Sequence, residues 1–188
     1  MAEYYLISQL PSLDGINENM PLPISEERVL ELCSRFLGKK ATAELQNLTL
    51  VPSRSYEGST SELIEAWNEG ERNLRLALGL LRAEKLKKQF SFEGMDGKVF
   101  SPELTLAVKT AVEIGSPMEA ERFLDRYRLS FLESLRPMDA FSESYVFYYI
   151  LKLKLLSRIR QFDKTSGEAA YKNIYNSIMN GDRLEEKQ

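Results

Sequence analysis

Glycines followed by a lysine, Gly94-Met95-Asp96-Gly97-Lys98, are the nearest thing in this sequence to a phosphate-binding loop. Such a loop needs the spacing GxxxxGK[ST], whose hydroxyl holds magnesium, and here the spacing is not met and Val99 stands in the hydroxyl's place. The segment reads as a turn. Paired acids, Glu62 with Glu65 and Glu119 with Glu121, could be imagined as ligands of two metals between helices. That arrangement also wants a Glu-x-x-His on two helices, and the chain has no histidine. The same absence removes the commonest general base near neutral pH and the usual activator of serine and cysteine nucleophiles. Cys33 is the single cysteine, so no internal disulfide and no ordinary zinc site is expected. An enzyme would have to rest on Lys98 or a tyrosine with a perturbed pKa in a cleft. The expectation is a chain that is not an enzyme and has no catalytic, cofactor-binding or metal-binding residues.

Charge is the other resource. Lys and Arg number 25 against 28 Asp and Glu, a net charge of -3, which leaves no basic excess to neutralise a phosphate backbone and argues against nucleic acid as a partner. Within Glu119-Ala-Glu-Arg-Phe-Leu-Asp-Arg-Tyr-Arg128, Glu119 and Arg122 are three apart, as are Asp125 and Arg128, so opposite charges meet on a helix surface. The plain interpretation is a solvated ion-pair face. The rival is a surface for docking a partner helix, drawn from Glu119, Arg122, Asp125 and Arg126, with Lys152 and Arg158 from the basic end of a later helix.

These residues need helices to position them, and capping chemistry marks where the helices start. Ser25 precedes Glu26, Glu27 and an apolar set from Val29 to Leu37, with Gly38 expected as a left-handed stop. Ser101-Pro102 opens a helix that runs to Gly115, and Ser116-Pro117-Met118-Glu119 opens one that should run to about Leu135, before Pro137. Thr165-Ser166-Gly167-Glu168 opens the last, ending near Asn180-Gly181 before a charged tail. The longest periodic segment, about 60–88, carries Leu63, Trp67, Leu74, Leu78 and Leu81 on one face. Gly70 and Gly79 inside it suggest a bend or a close neighbour. Strand signals are confined to Tyr4–Ile7 and Leu48–Val51, too short and isolated for a sheet. From about 143 to 162 the pattern is apolar around most of its circumference, which predicts a surrounded helix, the tyrosines Tyr145, Tyr148 and Tyr149 being core. The fold expected is all-α, a two-lobed helical bundle with lobes 1–97 and 98–188 in one folding unit. Its seam lies near Gly97, and the helix at about 143–162 is central to the second lobe, wrapped by those starting at Ser101, Ser116 and Thr165. No stretch approaches the roughly 18 apolar residues that span a bilayer, and Glu3 stands where a signal peptide would be positive. A cytoplasmic location is expected.

Three stretches carry a family resemblance: Tyr4-Tyr-Leu-Ile-Ser-Gln-Leu-Pro-Ser-Leu13, Gly115-Ser-Pro-Met-Glu-Ala-Glu-Arg-Phe-Leu-Asp125, and Tyr148-Tyr-Ile-Leu-Lys-Leu-Lys-Leu-Leu-Ser-Arg158 with Asp163 and Gly167 beyond it. Together they resemble the small proteins encoded within bacterial V/A-type ATPase operons. That family is in turn similar to the all-helical connector of A-type and V-type ATPases, the part that sits between the rotor shaft and the membrane ring. The resemblance implies an accessory or central-stalk part that works by contact with ATPase protein subunits, without cofactor, and peripheral on the cytoplasmic face of the membrane. The alternative is a free-standing helical adaptor or regulator with unrelated partners.

Overall fold

Serine side chains set three of the helix starts. Ser25 Oγ accepts from the Arg28 N–H (3.3 Å), Ser101 Oγ from Leu104 (3.2 Å) and Ser116 Oγ from Glu119 (3.4 Å), each satisfying a donor that the helix leaves orphaned. The computed structural model describes residues 2–16, 20–52, 61–88, 99–161, 167, 169 and 171–177. Among these the chain is all-helical, as its periodicity predicts: α1 (Ala2–Gln9), α2 (Glu26–Phe36), α3 (Lys39–Asn47), α4 (Glu62–Lys85), α5 (Pro102–Glu113), α6 (Pro117–Ser134) and α7 (Glu143–Gln161), with helical backbone again at 171–177. Tyr4–Ile7 lies inside α1, and Leu48–Val51 forms no strand.

Two of the expected stops work differently. Gly38 is not left-handed: at φ -64° it is the N-cap of α3, a helix that no capping side chain announces, and α2 closes one residue earlier at Leu37. Lys87 is the residue that turns left-handed, at φ 51°, to end α4. The Lys88 N–H returns to the Ala83 carbonyl and that of Lys87 to Glu84, the two bonds of a Schellman closure, with lysine in the position glycine usually fills.

The axis of the molecule is α4, 24 residues without a break and about 36 Å long. Gly70 marks a close neighbour rather than a bend: a Cβ there would stand 2.2 Å from the ring of Phe131 on α6. The first half of α4, with Leu63, Ile64 and Trp67, joins α1, α2, α3 and α7 in one apolar cluster. Its second half, with Leu74, Ala77 and Leu78, joins Leu104, Val108, Ala111 and Leu124 of α5 and α6 in another. Residues 89–98, where the seam between lobes is expected and where Gly94 to Lys98 fall, lie outside the described residues, as do Thr165, Ser166 and the tail after 181. Each apolar cluster draws on helices from both sides of that segment.

The surroundings of α7 correct the expected arrangement. The helix is enclosed, with eleven buried residues from Val146 to Ile159: the helix starting at Ser116, α6, packs on it as expected, but α2 and α4 also cover it, in the same cluster as α1 and α3. The reason is competition for surface. α5 and the first part of α6 bury their apolar stripes against the far half of α4, so the remaining circumference of α7 is covered by the N-terminal helices.

Candidate functional site

Along α4 the buried positions run Trp67, Glu71, Leu74, Leu78, so a carboxylate occupies the apolar stripe. Along α6 they run Leu124, Arg128, Leu132, with a guanidinium in the same role. The two helices bring these charges together. Arg128 Nε donates to Glu71 Oε2 at 2.9 Å and Nη2 to Oε1 at 3.2 Å, a forked contact suited to the planar guanidinium. Its Nη1 donates to Asp125 Oδ1 at 2.8 Å and reaches Glu121 Oε2 at 3.4 Å. Arg158 of α7 completes the set, with Nη2 3.2 Å from Glu121 and Nε 3.5 Å from Asp125. Arg75, one turn along α4, holds Glu71 Oε1 at 2.9 Å. Arg75, Arg128 and Arg158 thus balance Glu71, Glu121 and Asp125. The side chains of Glu71, Asp125 and Arg128 are only 2%, 0% and 6% exposed.

Burial pushes the Asp125 carboxyl above the usual carboxylate range, against the pull of Arg158 and Arg128. For Arg128, burial works against the charge, yet the Glu71 and Asp125 carboxylates outweigh it and hold its pKa up. The set therefore ties α4, α6 and α7 together electrostatically.

A second set surrounds Lys152 of α7. Its Nζ lies 2.8 Å from Asp14 Oδ1, 2.6 Å from Glu133 Oε1 and 3.3 Å from the Tyr148 hydroxyl. Arg136 Nη2 lies 3.6 Å from Asp14 and its guanidinium sits 5.8 Å from the ring centres of Tyr145 and Tyr148. The Tyr149 hydroxyl donates to the Pro11 carbonyl at 2.8 Å. These contacts fasten the segment after α1 to α7 and to the end of α6. Tyr148 and Tyr149 are buried and Tyr145 half-buried, as aromatics at helical spacing predict.

The charged residues expected to form one docking surface divide between interior and surface. Glu119 and Arg126 are exposed and Arg122 is half-buried. Asp125 and Lys152 are buried, and Arg158 is half-buried against Glu121 and Asp125. The correction follows from helix geometry: 121, 125, 128 and 132 share the face of α6 that meets α4 and α7, whereas 119 and 126 point away from it. The spacing correctly pairs Asp125 with Arg128 but does not tell which face is covered. Charge spacing does not single out Glu71, although a carboxylate between Trp67 and Leu74 on an apolar stripe is a readable signal.

Among the described residues, no group of three or more histidine, cysteine or carboxylate side chains is arranged to hold a metal ion. No described helix is long and apolar enough to cross a membrane. Large apolar side chains reach solvent at Met20, Val51, Val99, Leu106 and Met138 and in three further places. Tyr4 and Tyr5 of α1 sit beside Phe141, with Tyr4 and Phe141 ring centres 4.8 Å apart. Tyr171, Ile174 and Tyr175 line one side of the last helical stretch. Leu86 stands at the end of α4 over an apolar groove between α4, α5 and α6.

Neither a curated protein nor a solved structure matches the chain. Residues 102–182, which hold α5, α6 and α7 and so Glu121, Asp125, Arg128 and Arg158, but not Glu71, are similar to a family described as "Protein of unknown function (DUF2764)".

Proposed function

We propose that this chain is a non-catalytic accessory or central-stalk connector of a V/A-type, proton- or sodium-translocating ATPase, acting through contacts with its protein subunits at the cytoplasmic face of the membrane. The observation that supports this reading is the buried charge set joining α4, α6 and α7 through Glu71, Asp125, Arg128 and Arg158. A part that braces rotation must carry load between docking faces without its helices sliding. Sliding α6 past α4 by one turn, about 5.4 Å, would separate Arg128 from Glu71 and leave both charges in the interior, at a cost of about 3–5 kcal/mol. Such a body resists shear in a way that apolar packing alone does not. The exposed aromatic and apolar patches supply separate surfaces through which load could enter and leave.

The partner comes from the sequence resemblance, and the test addresses it directly. The whole chain, tagged, is recovered from the native membrane fraction in several mild detergents, and what accompanies it is identified by mass spectrometry. V/A-type ATPase subunits are expected to copurify. Recovery of the chain free of every such subunit, alone or with unrelated proteins, overturns the reading.

A further inference from the structure

An apolar groove of about 410 Å³ opens where the C-terminal ends of α4 and α5 meet the first turns of α6. Its floor is Leu78, Ala111 and Leu124, all buried, and its walls include Ile114 and Ala120. Leu86, 66% exposed, overhangs one side. A leucine that exposed beside a concave apolar floor has the form of an interface anchor without its counterpart.

The rim is basic. Arg82 and Lys85 line the groove, and Lys87 and Lys88 follow at once in the α4 closure. Of the residues that line the groove, the charged ones are Arg82 and Lys85, both cations, in a chain whose net charge is -3. Lys85 Nζ donates to the Val112 carbonyl at 2.9 Å, bridging α4 to α5 and meeting the negative pole of α5. Lys87 holds a left-handed backbone that glycine would adopt with less strain.

From this pairing of an apolar floor with a cationic rim we infer that the groove is a docking site for an acidic amphipathic helix of a partner protein. Leucine-like residues at i, i+3 or i+4 and i+7 would enter the floor, and carboxylates along the flanks would meet Arg82 and Lys85. A concave floor between three helix ends fits a helix better than a flat lipid surface, which would also meet Glu84, Glu113 and Glu119. This inference deepens the connector reading and depends on it only for which protein brings the helix.

The test uses the whole chain, methyl-labelled, and two synthetic helical peptides sharing one leucine face, with glutamates flanking it in one and lysines in the other. The glutamate peptide is expected to shift the methyl signals of Leu78, Leu86, Val112, Ile114 and Leu124. The lysine peptide should bind at least roughly tenfold more weakly at low salt, with the difference shrinking as salt rises. Arg82→Glu, in the basic rim, should reverse the preference while the circular dichroism spectrum shows the variant folded like the parent. Equal binding of both peptides, binding of neither, shifts confined to other surfaces, or the same shifts with phosphatidylserine vesicles overturns the inference. A chain that captures ATPase subunits but ignores the glutamate peptide fails here alone, and one that binds the peptide at the groove but captures no subunit fails only the proposed function.

Discussion

Arg128, its side chain only 6% exposed, shares its guanidinium among three acids, two of them buried. The attraction is strong, but removing these charges from water is costly, so the set need not stabilise the fold relative to an apolar core. Breaking it is another matter. Arg128→Ala leaves Glu71 and Asp125 buried beside a hole, and chemical denaturation should show a loss of about 3–5 kcal/mol. Replacing Glu71, Asp125 and Arg128 together by Met, Leu and Met should recover most of that loss. If the triple variant is as unstable as Arg128→Ala, the charges contribute net stability and desolvation does not cancel their attraction. Gly70 poses a similar question of sign. Alanine would gain about 1 kcal/mol of helix propensity, but its Cβ would meet Phe131 at 2.2 Å, and overpacking costs about 1–3 kcal/mol. Gly70→Ala should therefore destabilise, and Phe131→Leu in the same chain should turn the alanine favourable. Additive effects of the two changes would show that the ring moves aside freely. At this scale the sequence is half legible: Glu71 and Arg128 stand on apolar stripes where their burial can be read, but that they meet each other, 57 residues apart, depends on how α4 and α6 are rotated, which no local pattern specifies.

Helices are legible where a hydroxyl cap or a proline stands at the start and hidden where neither does. Ser25, Ser101 and Ser116 announce α2, α5 and α6, and Pro137 accounts for the end of α6 at Ser134. Before α3 stands Gly38, which offers no side-chain cap bond, so nothing local distinguishes this nine-residue helix from a loop. α1 contains two tyrosines and two aliphatics in a row, Tyr4-Tyr-Leu-Ile7, a run with strand propensity that packing overrides: Leu6 is fully buried in the first cluster. The end of α4 is the case where the local rule and the structure part company. Lysine at φ 51° costs roughly 1–2 kcal/mol relative to a right-handed backbone, a strain glycine would relieve. Lys87→Gly is expected to raise stability by about 1 kcal/mol, seen as a higher denaturation midpoint with unchanged slope. A fall in midpoint would mean that the lysine side chain stabilises the closure by more than its backbone strain costs.

Across the whole molecule, the lack of histidine removes the only side chain that ordinarily titrates between pH 5 and 8, so stability should be flat there and change only toward the extremes. On the acid side, the hydrogen bond from Lys152 lowers Asp14; Glu133 is lowered too, because Lys152 and Arg136 outweigh its burial. Carboxyls lowered in the folded state stabilise it above their ordinary values near about 4, and that stability is lost as pH falls through the lowered values. Asp125, raised by burial, has the opposite sign and blunts this loss. On the alkaline side the signs agree. Burial pushes the Cys33 thiol up to about 11, and burial with the Glu133 carboxylate pushes the Tyr148 hydroxyl up to about 12. Burial also raises Tyr149. For Lys152 burial opposes the charge, but Asp14, Glu133 and Tyr148 outweigh it and its pKa is raised as well. Each of these groups keeps its proton longer when folded than when unfolded, so the folded state binds more protons and stability must fall as pH rises. The fall should begin near about 9, where an unfolded thiol ionises, and steepen beyond about 10, where tyrosine and lysine follow. Denaturation midpoints measured from pH 3 to 11 should therefore trace a broad plateau with a shallow acid edge and a steeper alkaline one. Cys33→Ala should move the onset of the alkaline edge upward by removing its first contributor. An alkaline edge that starts at the same pH with and without the thiol, or a slope appearing between pH 5 and 8, would show that groups other than these control the response of the fold to protons.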